Sequence, residues 1–109
     1  MRTVAPAGWA NTAELLKAAA ITYRQADYWT RLGYLRPWPE PTPGSGTFRA
    51  YSPHEVRVAT IMGALVGAGL DVGAAHAAAR QAYLSDTTWS TVLDGGLEVS
   101  GRLPGAPGP

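Results

Sequence analysis

The chain has 109 residues, nine basic and eight acidic, with two histidines and no cysteine, which is the size of one small domain with a modest core. The lack of cysteine excludes disulfides, zinc–cysteine fingers and thiol chemistry, and no apolar run nears the roughly 20 residues that a membrane span needs. The near-zero total hides an asymmetry: residues 1–57 carry seven basic residues (Arg2, Lys17, Arg24, Arg31, Arg36, Arg49, Arg57) against four acidic (Glu14, Asp27, Glu40, Glu55), net +3, whereas residues 58–109 carry Arg80 and Arg102 against Asp71, Asp86, Asp94 and Glu98, net −2.

The front half is therefore the part suited to an anionic partner. The opening MRTVAPAGWA has no signal-peptide core, so a soluble, cytoplasmic protein without a membrane partner is expected.

Residues 1–10 read as a flexible N-terminal arm, because Pro6 and Gly8 discourage regular structure; Trp9 is the residue that would pin it. Asn11-Thr-Ala-Glu14 then has the pattern of a capping box, in which Asn accepts a backbone N–H and Glu three residues on reaches back. The helix runs through Leu15, Leu16, Ala18 and Ala19. It is too short to be stable alone and needs tertiary packing. Ala19-Ala20-Ile21 is the turn, and Thr22-Tyr-Arg-Gln25 is a second capping box. Ala26, Trp29 and Leu32 recur at i, i+3, i+6 and predict the buried stripe of a second helix. Tyr23, Arg24, Asp27, Tyr28 and Arg31 are left on its other faces, and Gly33 suits the position beyond its end. Helix, tight turn and helix is the pattern of a helix-turn-helix, which holds its second helix ready for the DNA major groove.

Tyr34-Leu-Arg36 is predicted as a short strand closed by Pro37. The stretch WPEPTPGSGT (38–47) is a loop, and Phe48-Arg-Ala-Tyr51 is a second strand. Two short strands around a polar loop make a β-wing, and its prolines confine it to an edge. Ser52-Pro53-His54-Glu55 has Ser at the N-cap, Pro at N1 and Glu at N3 of the next helix. Val58, Ile61, Met62 and Leu65 give that helix a core face, and Gly67 and Gly69 end it. Asp71 caps a fourth helix, Val72 to Leu84, packed through Val72, Ala75, Ala79 and Tyr83. In SDTTWSTVLDGGLEVSG (85–101), Asp94-Gly95-Gly96 between two strand-like runs predicts a hairpin, with a short helix ending at Gly95 as the alternative. The expected fold is mainly α: a winged helix-turn-helix domain over 11–84, a C-terminal β-hairpin over 85–101 and a disordered tail over 102–109.

Residues 11–84, about two thirds of the chain, resemble the winged helix-turn-helix domain of the MerR family. The resemblance rests on Glu14-Leu15, Ile21-Thr22, Tyr28-Trp29, Leu32-Gly33-Tyr34-Leu35 with Pro37, Phe48-Arg49-Ala50-Tyr51-Ser52, Glu55-Val56 and Ala68-Gly69-Leu70, in that order and spacing. It implies double-stranded DNA as partner and a role in transcription regulation. Three departures stand out. Ala20 occupies a turn position where the family commonly has Gly, and Asp27 one where a basic residue is common. After Leu84 no heptads follow, so the family's antiparallel coiled coil and effector domain are not implied. What remains resembles the small stand-alone members, phage excisionases of this fold and short actinobacterial regulators.

Arg24, at the second position of the second helix, is the candidate for base readout, because Arg pairs bidentately with guanine. Tyr23 beside it suits a base methyl or a phosphate. The resemblance implies a backbone contact for the Tyr28 hydroxyl and a phosphate or minor-groove contact for Arg49 in the wing. Arg31 reaches either a phosphate or Asp27 at i, i+4; Arg36 joins Arg49 from the opposing wing strand, and Lys17 and Thr47 complete the set. About four to six phosphate contacts imply a log–log salt slope of roughly −0.9 per contact. Asp27 either repels phosphate or accepts from a cytosine amino group.

No enzyme is expected. His54 and His76 are far apart, no carboxylate cluster has metal-ligand spacing, Gly44-Ser-Gly46 lacks the Gly-Lys that a phosphate loop needs, and no nucleophile–base pair is present. No cofactor is implied. Three functions fit: a sequence-specific regulator, an excisionase-type architectural binder working with a recombinase, or a protein-interaction module whose DNA contacts are degenerate. The C-terminal extension offers a strand edge for self-association or for folding back on its own domain.

Overall fold

Side-chain caps start all four helices found among the described residues, and each is local in sequence. In the computed structural model, which describes residues 7–38 and 49–103, Asn11 Oδ1 accepts from the Glu14 N–H at 2.8 Å and Glu14 returns a bond to the Asn11 N–H at 2.9 Å. This box starts α1 (Thr12–Ala19). Thr22 and Gln25 form the same reciprocal pair at 3.1 and 3.0 Å and start α2 (Tyr23–Arg31). Ser52 caps α3 (Pro53–Gly67), with Pro in its first turn, and Asp71 caps α4 (Val72–Arg80).

Two small antiparallel sheets accompany the helices. In the first, β1 (Ala10–Asn11) pairs with β2 (Ala50–Tyr51), Ala10 opposite Tyr51, and Trp38 bridges the other side of Ala50. The second is the three-stranded meander β3 (Tyr83–Leu84), β4 (Thr88–Val92) and β5 (Glu98–Arg102). Among the described residues, no helix is long and apolar enough to cross a membrane.

A single cluster of buried side chains joins these parts. Leu15, Ile21, Trp29, Leu35, Tyr51, Val58, Ile61, Met62, Leu65 and Ala75 share it with Trp89 from the C-terminal sheet and Leu103 just after it. Gly63 lets α3 approach the α1–α2 turn: a Cβ there would lie 2.7 Å from Ile21 Cγ2. Gly101 plays the same part under the Trp89 ring, where a Cβ would lie 2.7–2.8 Å from three indole atoms. The Thr91 hydroxyl ties β4 to the Ala78 carbonyl of α4 at 3.0 Å.

Several expectations need correction. Residue 10 is not part of a loose arm but a strand residue, held to Tyr51 across 41 positions. The strand expected over Tyr34–Arg36 is a helix stop: Gly33 (φ +82°) reverses the chain, the Gly33 N–H bonds Thr30 O, and the Tyr34 and Leu35 N–H groups both bond Trp29 O. Leu32 lies beyond the end of α2 and is exposed; Thr30 is buried in its place. α4 ends at Arg80, not Leu84, because Tyr83 and Leu84 pair with Ser90 and Trp89. Tyr83 is accordingly 77% exposed rather than packed. The hairpin forms at Asp94-Gly95-Gly96, but the boundary drawn at Leu84 does not separate two packing units, since Trp89 and Leu103 belong to the common core. Leu103 also moves the start of the tail: it is buried and bonded to Thr87 O. The expected strand residue Phe48 and most of the loop lie outside the described residues.

Ala20 closes α1 with φ +57° and ψ +43°, a left-handed conformation that costs an L side chain about 1–2 kcal/mol. Ala20→Gly is expected to raise stability by about 0.5–1 kcal/mol after the extra freedom glycine has in the unfolded chain is subtracted. Chemical denaturation of the two proteins measures it.

Candidate nucleic-acid interface

The period of α2 divides it cleanly. Ala26, Trp29 and Thr30 face the core, while Tyr23 and Tyr28 are 59% and 54% exposed on the side that also carries Arg24, Asp27 and Arg31. The buried side is anchored by polar contacts as well as packing. The Thr30 hydroxyl donates to the Ala26 carbonyl at 2.7 Å and so accepts from the Tyr51 hydroxyl at 3.0 Å, linking α2 to β2.

Asp27 organises the exposed side. Its Oδ2 lies 2.9 Å from Arg31 Nε, one turn along, and its Oδ1 accepts from Arg49 Nη1 at 3.1 Å, from the segment leading into β2. Burial pushes the Asp27 carboxyl up, but the hydrogen bonds from Arg49 and Arg31 and their charges outweigh it and hold the group below its ordinary range. The two arginines differ in reach. The Arg31 side chain is 73% exposed, whereas that of Arg49 is 13% exposed. Arg49 is therefore no free wing cation; it is drawn against α2 by a carboxylate 22 residues away.

The remaining site candidates separate. Arg24, Tyr23 and Tyr28 make no side-chain hydrogen bond to the described residues. Lys17 is exposed on the last turn of α1. Arg36 is exposed after the helix stop, and its backbone N–H is fixed by Glu55 Oε1 at 2.7 Å. No side-chain hydrogen bond or ion pair among the described residues joins Lys17 or Arg36 to the α2 face, and Arg36 lies in no strand opposite Arg49. Thr47 lies outside the described residues.

A polar hub behind the face was missed in the sequence. Glu55 is buried and does not complete a reciprocal cap; Ser52 Oγ accepts from its N–H at 3.2 Å, but its carboxylate turns to Arg80. Arg80 donates to Glu55 Oε2 at 2.6 Å, to Oε1 at 2.8 Å, to the Tyr34 carbonyl at 2.7 Å and to His76 Nε2 at 3.3 Å. The His76 ring stacks on Tyr34 with centroids 4.3 Å apart, so this histidine is half-buried and partly satisfied. Burial pushes the Glu55 carboxyl up, yet the Arg80 bonds, the Arg36 N–H and the Arg80 charge leave it below the ordinary carboxylate range. Burial first, then the Arg80 and Arg36 charges, hold His76 below its ordinary value against the opposing pull of Glu55. The hub thus ties α4 and the start of α3 to the turn that ends α2. A lone Arg closing an otherwise Ala-rich helix was the available signal.

A scan against protein-family models gives no match for this chain, and searches of curated proteins and of solved structures likewise give none.

Proposed function

We propose that the chain binds double-stranded DNA sequence-specifically as a small transcriptional regulator, in the manner of a winged helix-turn-helix, with α2 in the major groove. The observation that carries this reading is the division of α2: a capped helix whose rear is locked by Trp29 and the Thr30–Tyr51 bond, and whose front presents Tyr23, Arg24, Tyr28 and Arg31. A groove-reading helix needs its base-contacting side chains exposed and its own position fixed by the scaffold. Arg24, near the N-terminal end, reads guanine; Tyr28 and Arg31 hold phosphate. The antiparallel bridge Trp38–Ala50 is where a wing would spring from the domain.

Fluorescence polarisation against a randomised duplex pool, followed by site selection, tests this. Affinity should fall steeply with salt, by roughly 0.9 log units per log unit of salt for each phosphate held. Absence of salt-dependent binding at low ionic strength would overturn the reading in favour of a protein-interaction module.

The Asp27 pairing sharpens the expectation. Asp27→Asn removes the charge that occupies Arg31 and Arg49, so affinity for duplex is expected to rise and the salt slope to steepen by about one to two phosphate equivalents. A loss of affinity confined to sites with one particular cytosine would instead make Asp27 a base reader.

A further inference from the structure

We propose that the chain dimerises by antiparallel pairing of β5 with β5 of a second copy, centred on Ser100. β5 is the outer strand of the C-terminal sheet. The Leu93 N–H bonds Leu97 O, and the Leu103 N–H bonds Thr87 O. These two bonds set the phase of the β4–β5 ladder. With Val92 opposite Glu98 and Thr88 opposite Arg102, alternation makes Val99 and Gly101 the β5 residues bonded to β4. Glu98, Ser100 and Arg102 turn their N–H and C=O groups to the open edge. Among the described residues, no strand pairs with that edge.

The same three residues are exposed, while Val99 and Gly101 are half-buried. Their order, Glu98–Ser100–Arg102, is complementary to its own reverse. In an antiparallel pair centred on Ser100, Glu98 stands opposite Arg102 of the second copy and Arg102 opposite its Glu98, flanking a Ser–Ser pair. All three pairs then fall at hydrogen-bonded positions of the new ladder, and opposite charges directly across strands attract. Other registers are worse. A slip of two residues sets Glu98 or Arg102 against Ser100 and leaves both ion pairs unmade. A further slip, or parallel pairing in register, sets like charges together. Charges on an edge strand ordinarily repel a second copy; here their placement selects one. The resulting sheet is continuous across a twofold axis, an isologous interface, and the proposal does not depend on DNA binding.

Sedimentation equilibrium of the full chain from micromolar to sub-millimolar concentration tests it, with circular dichroism as the check on folding. The wild type is expected to dimerise. Glu98→Arg and Arg102→Glu, each of which sets like charges together twice per dimer, are expected to raise the dissociation constant by about tenfold or more. The double exchange Glu98→Arg with Arg102→Glu restores the wild-type constant, because the order is reversed on both strands. In amide exchange, Glu98, Ser100 and Arg102 gain protection on concentrating the protein, whereas Val99 and Gly101 are protected throughout. A wild type that stays monomeric over the whole range, single variants that dimerise as well as the wild type, or a double exchange as weak as the singles would each overturn the proposal.

Discussion

Arg80→Ala is expected to destabilise the protein by about 3 kcal/mol, lowering the melting temperature by more than about 10 °C for a domain of this size. The substitution removes four hydrogen bonds at once, two to Glu55, one to the Tyr34 carbonyl and one to His76. The larger part of the cost comes from what is left behind. Glu55 is 6% exposed, and without Arg80 its carboxylate keeps only the Arg36 N–H and the Ser-capped start of its own helix. An unpaired buried charge costs more than the pair is worth. Converting both partners together, Glu55→Gln with Arg80→Met, should therefore recover part of the loss, and a double-mutant cycle measures the coupling.

The same hub gives a pH dependence whose sign follows from the shifts. The Glu55 carboxyl lies below its unfolded value. Its contribution is then complete above the ordinary carboxylate range, near 4.3, and is lost as pH falls through the folded value. His76 is also lowered. For a base this means that the fold favours the neutral ring, so stability is lost as pH falls below about 6.5. Both groups act in one direction, and the wild type weakens on acidification. In Arg80→Ala, burial at Glu55 is opposed only by the Arg36 N–H and the His54 charge, the protonated carboxyl is favoured more than in the wild type, and His76 is relieved of its nearest positive charge. The stability gap between wild type and variant should thus narrow between pH 7 and pH 4, as read from denaturation midpoints. A gap independent of pH would mean that Arg80 acts through packing alone.

What was legible in the sequence was local. Asn11 with Glu14, Thr22 with Gln25, and Ser52 at the start of α3 act over three residues, and each cap forms as its spacing predicts. The Asp94-Gly95-Gly96 turn is equally local, and its glycines take the positive φ expected of them. What was not legible depends on partners far along the chain. Glu55 has the spacing of a reciprocal cap, but a cation 25 positions away competes for it and wins. Tyr34-Leu35 has strand-forming side chains, yet the carbonyl of Trp29 claims both N–H groups first. Tyr83 continues the helical period of α4, but the strand returning at Ser90 pulls it out of the helix. For the candidate site, helical period sufficed to identify the exposed face of α2. Which of its charges are free was beyond reach, because the Arg49–Asp27 pair spans 22 residues.

That pair bears on the strongest functional prediction. Arg24→Ala is expected to weaken binding to the selected duplex by about tenfold to a hundredfold, the range lost with one bidentate base contact, and to relax preference at one base pair. Stability should change by no more than about 0.5 kcal/mol, since the side chain is exposed and makes no bond to the described residues. Arg49→Ala should behave differently. Its guanidinium is mostly covered and bound to Asp27, so its removal unbalances that carboxylate, leaving Asp27 with Arg31 alone. Binding should then weaken across all sequences, with little change in preference and some loss of stability. Selection on the two variants in parallel separates the roles. If Arg24→Ala changes only the salt slope, by about one phosphate equivalent, then Arg24 holds the backbone. The base reader must in that case be sought at Tyr23 or Asp27, which lie on the same exposed side of α2. If Arg49→Ala shifts preference at a single position, then the covered guanidinium leaves Asp27 on binding, and the ion pair is a feature of the free protein only.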